Sequence, residues 1–222
     1  MKKERRKKWS ILVMCIALCA VIGIVLYLSR YQRTSPERPE NRYDASTAVY
    51  TSAVDQDGDG VDDQTDVLQC AVEYIAARPK YKSKYYSTGY PDDGYGVCTD
   101  VVAAALKGAG YDLMQLVQED IKSNPEDYEI DEPDPNIDFR RVRNLKVYFE
   151  HTAIPLTSDV SQIEEWQGGD VVVFQNHIGI VSDRRNERGV PYVIHHNDPM
   201  QKNYEEDILE KRADITGHFR IS

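Results

Sequence analysis

One cysteine and two histidines, far apart in the chain, are the residue types that thiol chemistry requires. Cys98 stands in Gly94-Tyr-Gly-Val-Cys-Thr-Asp100, where a glycine-flanked turn runs into the apolar stretch Val101-Val-Ala-Ala-Ala-Leu106. That context predicts a sulfur in the first turn of a helix running to about Gly108. Unpaired N–H groups and a partial positive charge there favour a thiolate and can receive an oxyanion. His177 opens His-Ile-Gly-Ile-Val181, and His195 closes Pro191-Tyr-Val-Ile-His195. Period-two alternation puts His177, Gly179 and Val181 on one face of a strand, and Val193 with His195 on one face of the next. Paired through the Arg184–Gly189 turn, these strands would set the two histidines side by side, on the face expected under the Cys98 helix. Nucleophile, base and orienting group would then be assembled. A free cysteine also packs well as a plain core residue, and a lone strand histidine is commonly structural; the three together point to catalysis. Asn197 shares the parity of His195 and stands as the alternative orienting group.

A second constellation reads Asp55-Gln-Asp57-Gly-Asp59-Gly60-Val61-Asp62-Asp63-Gln-Thr-Asp66. Carboxylates at loop positions 1, 3 and 5, glycine at 6 and acids at 9 and 12 follow the spacing with which a tight turn aims oxygens at a calcium ion. The candidate ligands are Asp55, Asp57, Asp59, the Val61 carbonyl, Asp63 and Asp66. Asp66 is shorter than the bidentate glutamate expected at position 12, and no second loop pairs with this one. The alternative is an acidic, solvated turn that caps the following helix. Either role is structural; catalysis requires no cofactor.

The elements that must position these residues are bounded by composition. Of the 222 residues 41% are hydrophobic, enough for one domain of ordinary size and an appendage. Six basic residues against Glu4 give residues 1–8 a charge of +5 in a chain of net −10, leaving −15 for the rest. So acidic a body argues against nucleic acid as a partner. Trp9–Leu28 is 20 residues without a charge, enough helix to cross a hydrocarbon core. Its basic flank predicts a single-pass anchor, residues 1–8 cytoplasmic and the body outside. A cleaved signal peptide, with secretion, is the alternative; no small-residue cleavage site follows the apolar run. Residues 29–50, with Pro36 and Pro39 and no apolar period, read as a linker. Cys15 and Cys19 fall in the apolar segment. Cys70 and Cys98 lie in the exported part, where a disulfide would silence the nucleophile; free thiols are expected.

Residues 51–222 then form the extracytoplasmic domain. Asp66–Arg78 has an apolar face of Val67, Leu68, Ala71, Val72 and Ile75, with Pro79 as its stop. Tyr81, Tyr85, Tyr86, Tyr90 and Tyr95 crowd the loop before Cys98, as a cleft wall or as a seal onto the core. Asp112 caps a further helix ending before Pro125, and a third carries Val142, Leu145, Tyr148 and Phe149. From Ala153 onward the runs are short and β-prone: Ile154–Leu156, Asp170–Phe174, His177–Val181 and Pro191–His195. Helices followed by strands give an α+β domain, a Cys-bearing helix packed on an antiparallel sheet.

Gly169-Asp-Val-Val-Val-Phe174 followed by His177-Ile-Gly-Ile-Val181 resembles the base segment of the NlpC-type cell-wall cysteine peptidases of the papain-like superfamily. More closely, Gly96–Val102, Asp134-Pro-Asn-Ile-Asp138, Arg140-Arg-Val142, Asn144-Leu145, His177–Arg185, Val193-Ile-His195 and Ile215-Thr-Gly-His-Phe-Arg220 resemble domain-of-unknown-function family 1287, over about residues 64–222. The resemblance implies a papain-like fold and a Cys98–His177–His195 triad. Phe139 stands where it leads one to expect histidine, which makes that position dispensable. By this analogy Cys98 attacks an amide carbonyl, His177 takes the thiol proton and His195 holds its tautomer. The Cys98 N–H, with Tyr95, would receive the oxyanion. Asp100 either binds substrate or stabilises the first turn. The Asp134–Asp138 and Arg140-Arg141 cluster either ties down its connector or binds a charged peptide. The expected function is a membrane-anchored cysteine amidase or peptidase acting on peptidoglycan stem peptides. A non-hydrolytic cell-wall peptide-binding module and a thiol acyltransferase on the same triad are the alternatives.

Overall fold

The computed structural model describes residues 2–29, 34–43 and 49–221. Helix α1 (Lys2–Ser29) carries the apolar run. Among the described residues it is the one helix long and apolar enough to cross a bilayer, and none of that span is buried against protein. A membrane anchor or a signal sequence fits this; a core helix does not.

The expected linker is in part something else. Residues 30–33 and 44–48 of it lie outside the described residues, but 34–43 form a strap docked on the domain. Ser35 N donates to Lys202 O (2.7 Å), Tyr204 N to Ser35 O (3.1 Å) and Arg42 N to Arg185 O (2.9 Å). Thr34 Oγ1 donates to Gln201 O (3.0 Å), and Arg38 is clasped by Glu205 at 2.8 Å and by Asp183. Proline spacing and mixed charge gave no sign of this, because the partners lie some 150 residues away.

Helix α2 (Asp63–Ala76) starts three residues before the expected Asp66. Asp62 is its N-cap, accepting from Thr65 N (3.3 Å) and, from outside the helix, Ser52 N (2.8 Å). After α2, the short strands β1 (Lys80–Tyr81) and β2 (Tyr95–Gly96) pair in parallel and deliver the chain to α3 (Cys98–Gly108). α2 and α3 cross closely: a Cβ on Gly108 would fall 2.2 Å from Cys70 Sγ. Cys70 is therefore a helix-contact residue, and both it and Cys98 are free thiols. α4 (Leu113–Ser123) is capped by Asp112, α5 (Pro135–Asp138) is a single turn, and α6 (Val142–Thr152) buries Leu145 and Phe149.

Six strands make one antiparallel sheet: β3 (Ile154–Pro155), β4 (Val171–Phe174), β5 (His177–Arg185), β6 (Pro191–Ile194), β7 (Glu205–Glu206) and β8 (Ile215–Arg220), in the order β3-β8-β4-β5-β6-β7. The architecture is α+β, as expected, with β7 and β8 added to the strands read from the sequence. Both faces of the sheet are covered. Val171, Val173, Ile178, Ile180 and Ile194 pack under α2, α3 and α6, each buried aliphatic side chain contributing roughly 1.5–3 kcal/mol. Val172, Phe174, Val181 and Val193 face the other way, against Trp166, Val190 and Leu209.

The sheet is bolted at one end by Asp170, fully buried at the start of β4. Its carboxylate accepts from Arg220 Nε (2.7 Å) and Nη2 (2.8 Å), His218 Nε2 (3.0 Å), Gln64 Nε2 (2.9 Å) and Gln167 N (2.8 Å). The Trp166 indole stacks on His218 at 3.8 Å. One carboxylate thus joins α2, β4 and β8.

Candidate active site

Cys98 is the first residue of α3, following Val97 in extended conformation. Gly96 is required just upstream, since a Cβ there would lie 2.1 Å from Tyr74 Oη. The turn is locked by Asp100, which accepts from Val97 N (2.8 Å) and forms a bidentate pair with Arg140 (2.6 and 2.9 Å). Arg140 also donates to Lys84 O (2.8 Å), and its own carbonyl accepts from Thr99 Oγ1 (3.2 Å). Asp100 is 2% exposed with both oxygens engaged. In this arrangement its carboxylate stabilises the first turn and holds Arg140. Of the Asp134–Asp138 and Arg140-Arg141 cluster, Arg140 is thereby a tie. Asp138 is likewise turned inward, accepting from Asp134 N (2.7 Å). Tyr95 is half-buried in β2, its ring under the Lys82 ammonium (5.3 Å).

The histidines meet. β5 and β6 pair with Ile180 opposite Ile194 and Val181 opposite Val193, and His177 Nε2 lies 2.9 Å from His195 Nδ1, the rings edge to face. Gly179 permits this: a Cβ there would stand 2.6 Å from Val193 Cγ1 and 3.2 Å from His195 Cβ. Asn197 is exposed and turned to Asp198 (3.0 Å), so His195 is the partner of His177.

Two expectations need correction. First, the histidines do not lie on the face under the body of α3. That helix covers Ile178 and Ile180, whereas His177 has the parity of Val181 and its ring stacks near Phe174 (5.9 Å) on the opposite face. A helix body buries the apolar parity, so the polar parity must turn away. Contact is left to the end of the helix, where the Cys98 thiol faces the N–H of Ile178, the residue after His177. Among the described residues no hydrogen bond joins the thiol to the His177 ring. Second, burial works against a resting thiolate. Burial pushes the Cys98 thiol up to about 11, against the pull of the Ile178 and Thr99 N–H groups, with Asp100 adding to the rise. Burial, then the adjoining His195 and Arg212, pushes His177 down to about 3. Burial thus favours the neutral form of both the thiol and the imidazole.

The sequence reading missed Glu206 and Gln201. His195 Nε2 is 3.4 Å from Glu206 Oε2 and 3.3 Å from Gln201 Nε2. Glu205-Glu206 has no strand signal of its own; its pairing with Val193 and Ile194 makes it a strand beside His195.

His196, on the other parity, is buried between the rings of Tyr81 (5.3 Å) and Tyr204 (5.1 Å), and neither ring nitrogen meets a hydrogen-bond partner among the described residues. Burial holds it down to about 4. With His177 and His196 both below the ordinary 6.5 when folded, the unfolded chain binds protons first as pH falls. Their contribution is complete above about 6.5 and is lost progressively toward 4 and 3. We expect the melting temperature to drop between pH 7.5 and 4.5 and His196→Phe to flatten that drop without loss at pH 7.5, since phenylalanine fills the aromatic slot with no polar atom to satisfy. An unchanged acid slope in His196→Phe would contradict this.

In the acidic loop Asp55, Asp57 and Asp59 converge, one carboxylate oxygen of each lying within 4.8 Å of the others. Asp63 does not join them: fully buried, it accepts from Gln56 N (2.8 Å) and the Tyr111 hydroxyl. Asp66 is also buried in α2, pushed up to about 6 by burial and by repulsion from Asp59, Asp57 and Asp55. Of the later acids, the helix start commits Asp63 to the hydrogen bonds just named, whereas Asp66 still feels the charge of all three loop aspartates.

A family model described as "Domain of unknown function (DUF1287)" matches residues 68–221. The "Uncharacterized protein YijF" of Escherichia coli (strain K12) is 37% identical over 152 residues, 64% of this chain and 72% of that protein. No solved structure matches.

Proposed function

The chain belongs to the DUF1287 family, and from that premise we propose that it is a cysteine hydrolase of papain-like, NlpC-like architecture. Its substrates are amide bonds of peptidoglycan stem peptides, and α1 holds it at the outer face of the cell membrane. The observation that carries the reading is the His177 Nε2–His195 Nδ1 contact of 2.9 Å, one residue from the N–H that faces the Cys98 thiol. Cys98 starts a helix, His177 starts β5 and His195 directly follows the adjacent β6, an arrangement that supports a catalytic reading.

Because both resting groups are neutral, the reaction begins with proton transfer within the attack rather than from a preformed thiolate. The S–H bond of Cys98 breaks, its proton passes to Nδ1 of His177, and the sulfur adds to the substrate carbonyl. The oxyanion is received by main-chain N–H groups at the start of α3, which have no partner inside the helix. His177 then returns the proton to the leaving amine as the C–N bond breaks; water, giving its proton to the same ring, cleaves the thioester, and the proton passes back to the Cys98 sulfur.

The missing thiol–imidazole hydrogen bond and the raised thiol favour one second reading, a peptide-binding module that keeps the fold. Incubating the purified full chain in detergent with defined muropeptides, and weighing the products, separates them. Cleavage that disappears in Cys98→Ala supports hydrolysis. Equal binding by both proteins with no product supports the module, and new masses formed only with added amines indicate acyl transfer.

For the acidic loop we propose a structural calcium ion on Asp55, Asp57 and Asp59, relieving the repulsion that raises Asp66. Millimolar calcium is expected to raise the melting temperature by several degrees: saturation at about 100 times Kd is worth roughly 2.7 kcal/mol, and about 2–4 °C accompanies each kcal/mol in a chain of this size. Identical melting with calcium and with a chelator would dismiss the ion.

A further inference from the structure

Which ring nitrogen of His177 carries the proton decides whether it can act as a base, and that is set two residues away. Gln201 has its orientation determined by main-chain groups: its Oε1 accepts from Asn197 N (2.7 Å), and its amide nitrogen lies 3.1 Å from His195 O and 2.8 Å from Asn203 O. Both amide protons are therefore taken by carbonyls, leaving none for His195 Nε2, although that nitrogen is only 3.3 Å away. The remaining group at His195 Nε2 is the Glu206 carboxylate, an acceptor at 3.4 Å. The pairing of Glu206 with Val193 places it on the same face of the sheet as His195.

We infer that Glu206 is a positioning residue: its carboxylate keeps the proton of His195 on Nε2, so that His195 Nδ1 accepts from His177 Nε2–H and the bare Nδ1 of His177 is left for the thiol. The order of protons runs one way only. If His195 carried its proton on Nδ1, it would donate to His177 Nε2. His177 would then be protonated on Nδ1 and unable to accept from sulfur. When His177 becomes imidazolium during turnover, the Glu206 charge also stabilises it through the shared ring. This inference rests on the proposed thiol hydrolysis for its purpose, but the tautomers themselves are measurable without substrate.

The test is long-range 1H–15N correlation on the full chain in detergent micelles, 15N-labelled at its five histidines, at pH 7.5. We expect His177 and His195 both protonated on Nε2. Glu206→Leu is expected to move both toward the Nδ1–H form, with kcat falling on the order of 10²-fold at unchanged KM, a milder version of a misplaced tautomer in a catalytic triad. Glu206→Gln, isosteric and still able to accept through Oε1, retains the tautomers and loses less, and it serves if the leucine variant does not fold. An Nδ1–H tautomer in the wild-type protein, or unchanged tautomers in a folded Glu206→Leu, overturns the inference. Correct tautomers in a protein that turns over no substrate would instead count against the hydrolase reading alone.

Discussion

Replacing Cys98 by alanine is expected to lower the hydrolysis of muropeptides by about 10⁴-fold or more while the protein melts within a few degrees of the wild type. The loss is large because in the proposed mechanism the sulfur forms the covalent intermediate, and removing one member of a cooperating set removes nearly all that the set provides. Folding survives because the half-buried residue packs only at the margin of the core, where its sulfur also meets main-chain N–H groups. Alanine is also the strongest helix former. Activity assays should be paired with thermal melts, and His177→Gln run beside them. Because cysteine and histidine act as a unit, the double variant should be no worse than either single one. Retained turnover in Cys98→Ala would eliminate the thiol mechanism.

The largest stability effect is expected far from the sulfur. Asp170→Asn should cost about 3–5 kcal/mol, the penalty of leaving a buried cation without its partner; thermal melting should fall by about 10 °C. Asparagine keeps the shape of aspartate, but it leaves Arg220 uncompensated and turns an NH₂ toward a ring of donors that already includes His218, Gln64 and the Gln167 N–H. For comparison, removing the exposed Arg188–Glu210 pair should cost no more than about 1 kcal/mol. A similar cost for both in urea unfolding would show that the buried cluster is not a keystone.

Much of this site was legible from local pattern. The glycine turn, the alanine-rich run and the period of the strands located Cys98 and brought His177 to His195. Period two assigns residues to two parities, though, and does not say which parity meets the helix. Ile178 and Ile180 answered that by their apolar character, against the expectation for the histidines. Nor could spacing reveal the resting thiol, since helix position favours ionisation and only the enclosure of the sulfur shows that burial outweighs it. Glu206 lay out of reach for another reason: two glutamates have no strand signature, and their conformation comes from β6. The calcium-type spacing brings Asp55, Asp57 and Asp59 together, while the helix start at Asp63 diverts that one acid to Gln56 and Tyr111.

The strap has a consequence for how far the domain can travel from α1. With residues 34–43 fastened to the domain, only four residues separate Ser29 from Thr34, a tether of roughly 18 Å at full stretch. A free linker from 29 to 50 would have let the body sweep deep into a surrounding polymer. Were α1 embedded as proposed, the body would sit like a boat moored on a short line, its reach set by its own size and not by the length of its tether.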